Sequence, residues 1–213
     1  MLLILAVFAG CLVGIFKAWL SNRRYEIPHI RQSWLVLIAF FPQWLAFYLP
    51  LTRRLLADRW AITALISSQV LLLIFIWQNR HQPRIYSRVG ISLLGLGLIL
   101  NLAVILLNGG LMPIRPENVT RLVPDASPGS WQVGSRLGTG KDIVLALSKT
   151  RLWWLSDYFY LPLPGRDVAF SVGDIIIAIG VFIVLCVWDG VQSDYPSRDG
   201  PNPSTKLEVK NHV

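Results

Sequence analysis

A chain of 213 residues that is 54% hydrophobic and 15% charged is too apolar for an ordinary soluble domain, in which about a quarter of residues carry charge. With a mean hydropathy of +0.51, the class expected is an all-α integral membrane protein of about five transmembrane helices, with one long polar loop before the last. The net charge of +8 lies in short clusters between apolar runs, as membrane flanks do, and no basic aromatic module accompanies it. Nucleic acid is therefore excluded as a partner, and membrane lipid is the expected surroundings.

Residues 1–20 are apolar, with no basic lead and no small-residue cleavage site, which predicts a retained first helix rather than a removable signal peptide. Ala6, Gly10, Gly14 and Ala18 recur at every fourth position and include a G-x-x-x-G. Such a stripe lets another helix approach closely; a partner within the chain is favoured over another subunit. Residues 33–51 form the second apolar run, in which Pro42 should kink the helix and Pro50 end it.

Residues 60–78 form the third span, carrying Ser67, Ser68 and Gln69 near its centre, and residues 90–108 form the fourth, carrying Asn101. Polar groups at that depth read first as hydrogen-bonding partners between helices and second as the lining of a polar path. Asn108, Gly109 and Gly110 give the fourth helix a glycine stop, and Pro113 forbids its continuation.

Residues 109–167 are the long polar segment, and its many prolines and glycines predict an irregular first half. Between Asp142 and Tyr160 an apolar stretch leads into Trp153, Trp154, Tyr158, Phe159 and Tyr160. Aromatics of this density belong at a membrane interface, so a surface-lying helix or re-entrant piece is expected there. Asp157, Arg166, Asp167 and Asp174 could meet on one face if this segment folds back, forming a place for a cation or a lipid head group.

The final apolar span covers residues 168–188, and residues 189–213 form a polar tail expected to be mobile. Asp174 admits two readings. Ser171-Val-Gly-Asp174 has the S-x-x-D form of a capping box, which puts the carboxylate in the first helical turn. An ionisable group at the edge of a span also marks ion and proton sites. With five spans, basic flanks favour an outside N-terminus and an inside C-terminus, keeping Lys17, Arg23, Arg24, Arg31, Arg80, Arg84 and Arg88 in the cytoplasm.

No nucleophile, base and orienting group can be assembled into catalytic residues, and no cofactor is implied. Ser135 to Asp142 imitates a phosphate loop, but serine stands where its leading glycine belongs and aspartate follows Lys141. His29, His81 and His212 lie in separate polar segments, so no metal site is expected. Cys11 and Cys186 lie in apolar spans without ligand or disulfide spacing.

Three ordered pieces carry a resemblance: Asn108-Gly-Gly-Leu-Met-Pro113, then Leu152-Trp-Trp-Leu-Ser-Asp157 with Leu161-Pro-Leu-Pro164, then Phe170-Ser-Val-Gly-Asp174. Together they resemble an uncharacterised family of small bacterial multi-spanning membrane proteins, a domain of unknown function. The resemblance implies a bacterial inner-membrane protein and brings no activity or ligand. The leading expectation is a non-catalytic accessory or interaction subunit, in contact with lipid and with other membrane subunits. The alternatives are a small transporter or ion-coupled carrier using Asp174, Asn101 and Gln69, and then a lipid-acting membrane enzyme.

Overall fold

The computed structural model describes residues 2–22, 25, 30–49, 58–127, 129–164 and 167–186. The tail 189–213, the two final residues of the fifth expected span, Pro50, Arg53, Arg54, Arg23, Arg24, His29, His212 and Arg166 lie outside the described residues.

Among the described residues, three helices are long and apolar enough to cross a membrane: α1 (Leu2–Leu20), α3 (Asp58–Asn79) and α4 (Ile85–Leu107). Two shorter apolar helices join them, Trp34–Tyr48 and α6 (Val172–Cys186). The first of these begins as α2 (Trp34–Gln43) and loosens over Trp44–Tyr48 into a π-helical turn, in which the Leu49 N–H reaches back to the Trp44 carbonyl. Pro42 accounts for this irregularity, because its ring and missing N–H disturb the helical ladder.

Three close helix pairs hold the bundle. α6 lies against both α1 and α4, while α2 packs on α3. Gly10, Gly14 and Ala18 are buried, and a β-carbon at Gly10 would fall 2.9 Å from the Leu185 Cβ. That face of α1 is therefore spent on α6 of the same chain; Ala6, the first member of the stripe, is only half-buried. Between α4 and α6, Gly97 faces Gly173 and Gly90 faces Gly180. The hypothetical β-carbons of Gly97 and Gly180 would fall 2.6 Å and 2.8 Å from the opposing glycine carbonyls. Side chains at these points would push the helices apart, so the glycines set both their distance and their register.

The long loop departs from the all-α expectation. It folds into a small cap containing β1 (Met112–Ile114), α5 (Pro116–Leu122), β2 (Asp142–Val144), β3 (Phe159–Leu161) and β4 (Val168–Phe170). β1 pairs parallel to β2, and β3 pairs antiparallel to β4. The surface helix expected between Asp142 and Tyr160 is replaced by β2, two short 3-10 turns and β3. Leu152 takes a left-handed φ of 52°, which no α-helix interior contains. Residues 168–170 of the fifth expected span are strand β4, and the helix starts at Val172 with Ser171 as its cap, where the capping box places it.

The cap is seated by apolar contacts. Leu155 and Met112 enter the end of the bundle among Leu65, Val104 and Ile105, and a second cluster of Ile114, Val119 and Val144 forms the interior of the cap. Gly109 and Gly110 (φ 87° and 94°) turn the chain out of α4, and the Gly110 N–H returns to the Ile105 carbonyl at 2.8 Å.

Candidate functional site

Two polar clusters sit where the cap meets the bundle. In the first, Ser171 and Asp174 cap α6 reciprocally. The Asp174 N–H donates to Ser171 Oγ at 3.0 Å, and the Ser171 N–H donates to Asp174 Oδ2 at 3.1 Å. Asn101 reaches across from α4: its Nδ2 donates to Asp174 Oδ1 at 2.9 Å, and its Oδ1 accepts from the Ser171 hydroxyl at 3.0 Å. Every polar atom of these three side chains thus has a partner. Gly173 permits the approach, since a β-carbon there would lie 2.0 Å from Asn101 Oδ1.

The second cluster centres on Asp157, whose side chain is 2% exposed. Lys141 Nζ donates to Asp157 Oδ2 at 2.7 Å and to Asp142 Oδ1 at 3.0 Å. Asp157 Oδ1 is buried and has no partner among the described residues. Burial pushes the Asp157 carboxyl from 3.8 up to about 8, against the Lys141 ammonium, which pulls it down, and with Asp142 and Asp174 adding to the rise. Burial opposes the charge of Lys141, but the carboxylates of Asp142, Asp157 and Asp174 outweigh it and hold the ammonium well above the usual lysine range. Asp174 thus acts electrostatically on both members of the pair.

The remaining buried polar side chains of the cap hold backbone. Asn108 exchanges two hydrogen bonds of 2.8 Å with the main chain of Arg151. Asn118 Nδ2 donates to the carbonyls of Asp157 and Tyr158, each at 2.9 Å. Arg136 closes the turn that imitated a phosphate loop, donating to the carbonyls of Thr139 and Gly140, and ties it to Asp58 at 3.1 Å. Outward stands an aromatic shelf. Trp153 leans tilted on Tyr158, Tyr158 meets Phe159 edge to face and Phe159 stacks on Phe170, at centroid separations of 5.5, 5.6 and 5.6 Å. The Arg115 guanidinium covers Tyr158 at 4.1 Å.

Residues 28–186 match the model of a family of unknown function, DUF5317. The chain belongs to this family. A Thermotoga maritima protein described as uncharacterized is similar at 32% identity over 137 residues, covering 62% of this chain and 67% of that protein. No solved structure matches the chain.

The interval matched to DUF5317 takes in all three pieces that carried the resemblance and stops short of α1. Of the expected site residues of this DUF5317 chain, Asn101, Ser171 and Asp174 come together in one network. Asp157 belongs to the Lys141 pair instead. Gln69 lies in α3, buried, with Oε1 unpartnered among the described residues, while its neighbour Ser68 accepts from Gln43 Nε2 at 2.8 Å and joins α3 to α2. Asp167 does not join the acidic group; it accepts from the Tyr160 hydroxyl. Lys141 is the site residue that sequence reasoning set aside, along with the false phosphate loop. Its one signal was a lysine directly beside Asp142 in the polar segment.

Proposed function

We propose that this protein is a non-catalytic interaction subunit of a bacterial inner-membrane assembly, all five apolar helices crossing the bilayer and the cap standing on the outer side. The observation that supports it most is how the cap spends its polar groups. Asn108, Asn118 and Arg136 all bind main-chain carbonyls, so the shelf of Trp153, Trp154 and Phe159, 42%, 50% and 37% exposed, is offered in one fixed shape. A rigid exposed aromatic surface suits recognition, since little side-chain freedom is lost on contact. The crossing is supported by the separation of the two bundle ends. Asp58, at the start of α3, pairs with the cap, whereas Asn79, at its end, pairs with Arg31 in the turn before α2. Helices of 15 residues, such as α6 as described, reach about 22 Å, enough for most of the hydrocarbon core.

The test is purification from native membranes in mild detergent, wild type beside Trp153→Ser/Trp154→Ser. A stoichiometric membrane partner that the double variant loses while its own melting curve stays unchanged supports the reading; equal recovery by both, or no partner for either, refutes it. One observation favours a carrier instead: the unpartnered Asp157 Oδ1 and Gln69 Oε1 are spare acceptors in buried positions. That reading requires Asp174→Asn to abolish flux in proteoliposomes.

A further inference from the structure

The end of the bundle opposite the cap carries a feature that the interaction reading does not use. Arg31, Gln32, Trp77, Gln78, Arg80 and His81 line an open cleft of about 630 Å³. Its walls are fixed: the Arg31 N–H donates to Asn79 Oδ1 at 2.8 Å, and Asn79 Nδ2 returns to the Arg31 carbonyl at 3.0 Å. Asn79 is 2% exposed, so the turn before α2 is pinned to the end of α3. The Arg80 guanidinium lies 3.6 Å above the Trp77 ring and donates to the Trp77 carbonyl at 2.8 Å. That stacking holds the cation in place while leaving most of its N–H groups free.

The charge of the cleft is one-sided. The sequence has no aspartate or glutamate between Glu26 and Asp58, nor between Asp58 and Glu117, and among the described residues neither Arg31 nor Arg80 makes an ion pair. Alongside the cations, Gln78 Oε1 is buried without a partner among the described residues, an acceptor that waits for a hydroxyl or an amine. Trp34, Trp77 and Tyr86, 53%, 65% and 63% exposed, ring the same end of the bundle as an interfacial belt does. A cleft with two cations, one orphan acceptor and a membrane-facing rim fits a ligand that joins a phosphodiester to a hydroxyl and keeps its apolar part in the bilayer.

We propose that this cleft binds the head group of an anionic phospholipid, phosphatidylglycerol in chemistry, with Arg31 and Arg80 on the phosphate and Gln78 on a glycerol hydroxyl. Basic pockets between helices at a membrane face hold such head groups by the same combination of charge and hydrogen bonding. The two arginines act at close range with no carboxylate paired to them among the described residues, so the preference over zwitterionic phosphatidylcholine is at least about tenfold.

The experiment is native mass spectrometry of the full chain released from micelles doped with phosphatidylglycerol, phosphatidylcholine or phosphatidic acid. Wild type, Arg31→Gln/Arg80→Gln, Gln78→Leu and the cap variant Arg151→Gln are compared. The expected result is a phosphatidylglycerol adduct at least about tenfold more abundant than the phosphatidylcholine adduct in wild type and Arg151→Gln, and equal adducts in the double variant. Gln78→Leu keeps the charge preference and loses discrimination between phosphatidylglycerol and phosphatidic acid, which lacks the glycerol hydroxyls. A double variant that retains the preference overturns the proposal. So does a wild type in which added inorganic phosphate removes the lipid adduct and stabilises the protein alone, which would make the ligand free phosphate.

Discussion

Replacing Gly173 with alanine tests the contact on which the helix pair depends. The new β-carbon would fall 2.0 Å from Asn101 Oδ1, 2.7 Å from its Cγ and 2.9 Å from the Gly97 carbonyl oxygen. The asparagine has no way to yield without giving up its bonds to Ser171 and Asp174, and the Gly97 oxygen is backbone. Overpacking of this kind costs about 1–3 kcal/mol, and two interhelical hydrogen bonds at about 0.6 kcal/mol each add to it, for a total of about 2–4 kcal/mol. Asn101→Leu removes the hydrogen bonds without the backbone clash and is expected to lose about 1 kcal/mol. Ile179→Ala, on the same helix but 47% exposed, serves as the control. The assay is reversible unfolding in mixed micelles followed by circular dichroism. If Gly173→Ala lies within about 0.5 kcal/mol of wild type, the range of a bland surface change, the close approach of α4 and α6 is not what holds them and the reasoning fails.

Two other predictions concern the cap. Because the folded carboxyl of Asp157 is raised from 3.8 to about 8, the folded state binds its proton more tightly than the unfolded chain does. Cap stability therefore falls as pH rises from about 4 to about 8. Hydrogen exchange of residues 112–161 should show protection declining across that window in wild type and a flatter profile in Asp157→Asn; a flat wild-type profile contradicts the burial argument. Asn108→Ala removes both part-buried bonds to the Arg151 main chain, at about 0.5–1.5 kcal/mol each. Limited proteolysis should then cut between Thr150 and Trp154 well before the helices, and unchanged resistance there would show that the apolar seat alone holds the cap.

The helices were readable wherever an apolar run had its ends marked. Asn108-Gly109-Gly110 ends α4 as its residue types dictate, and Ser171 with Asp174 caps α6 through bonds among near neighbours in the chain. Asn101 was visible as an odd polar residue in a span, but its partners lie 70 and 73 residues away, and no local pattern carries that distance. The cap was misread for the same reason. β1 and β2 are three residues each, too short for alternation to show, and they pair across the whole of α5 and the turn at Arg136. The aromatic density around Trp153 was read as a surface helix or re-entrant piece because composition says interface without saying which backbone presents it; Leu152 in the left-handed region rules out the helix. The meaning of Lys141 depended wholly on Asp157 folding back to meet it.

The place of α6 between α1 and α4 has a consequence for how the chain is made. The small-residue face of α1 is synthesised long before the helix that covers it, and the whole cap is made in between. Until α6 is made, Gly10 and Gly14 on one helix and Gly90 and Gly97 on another are grooves without the helix that fills them. The two helix pairs that α6 completes therefore form only once it has been made, and a nascent chain halted before Val172 would leave both small-residue faces uncovered.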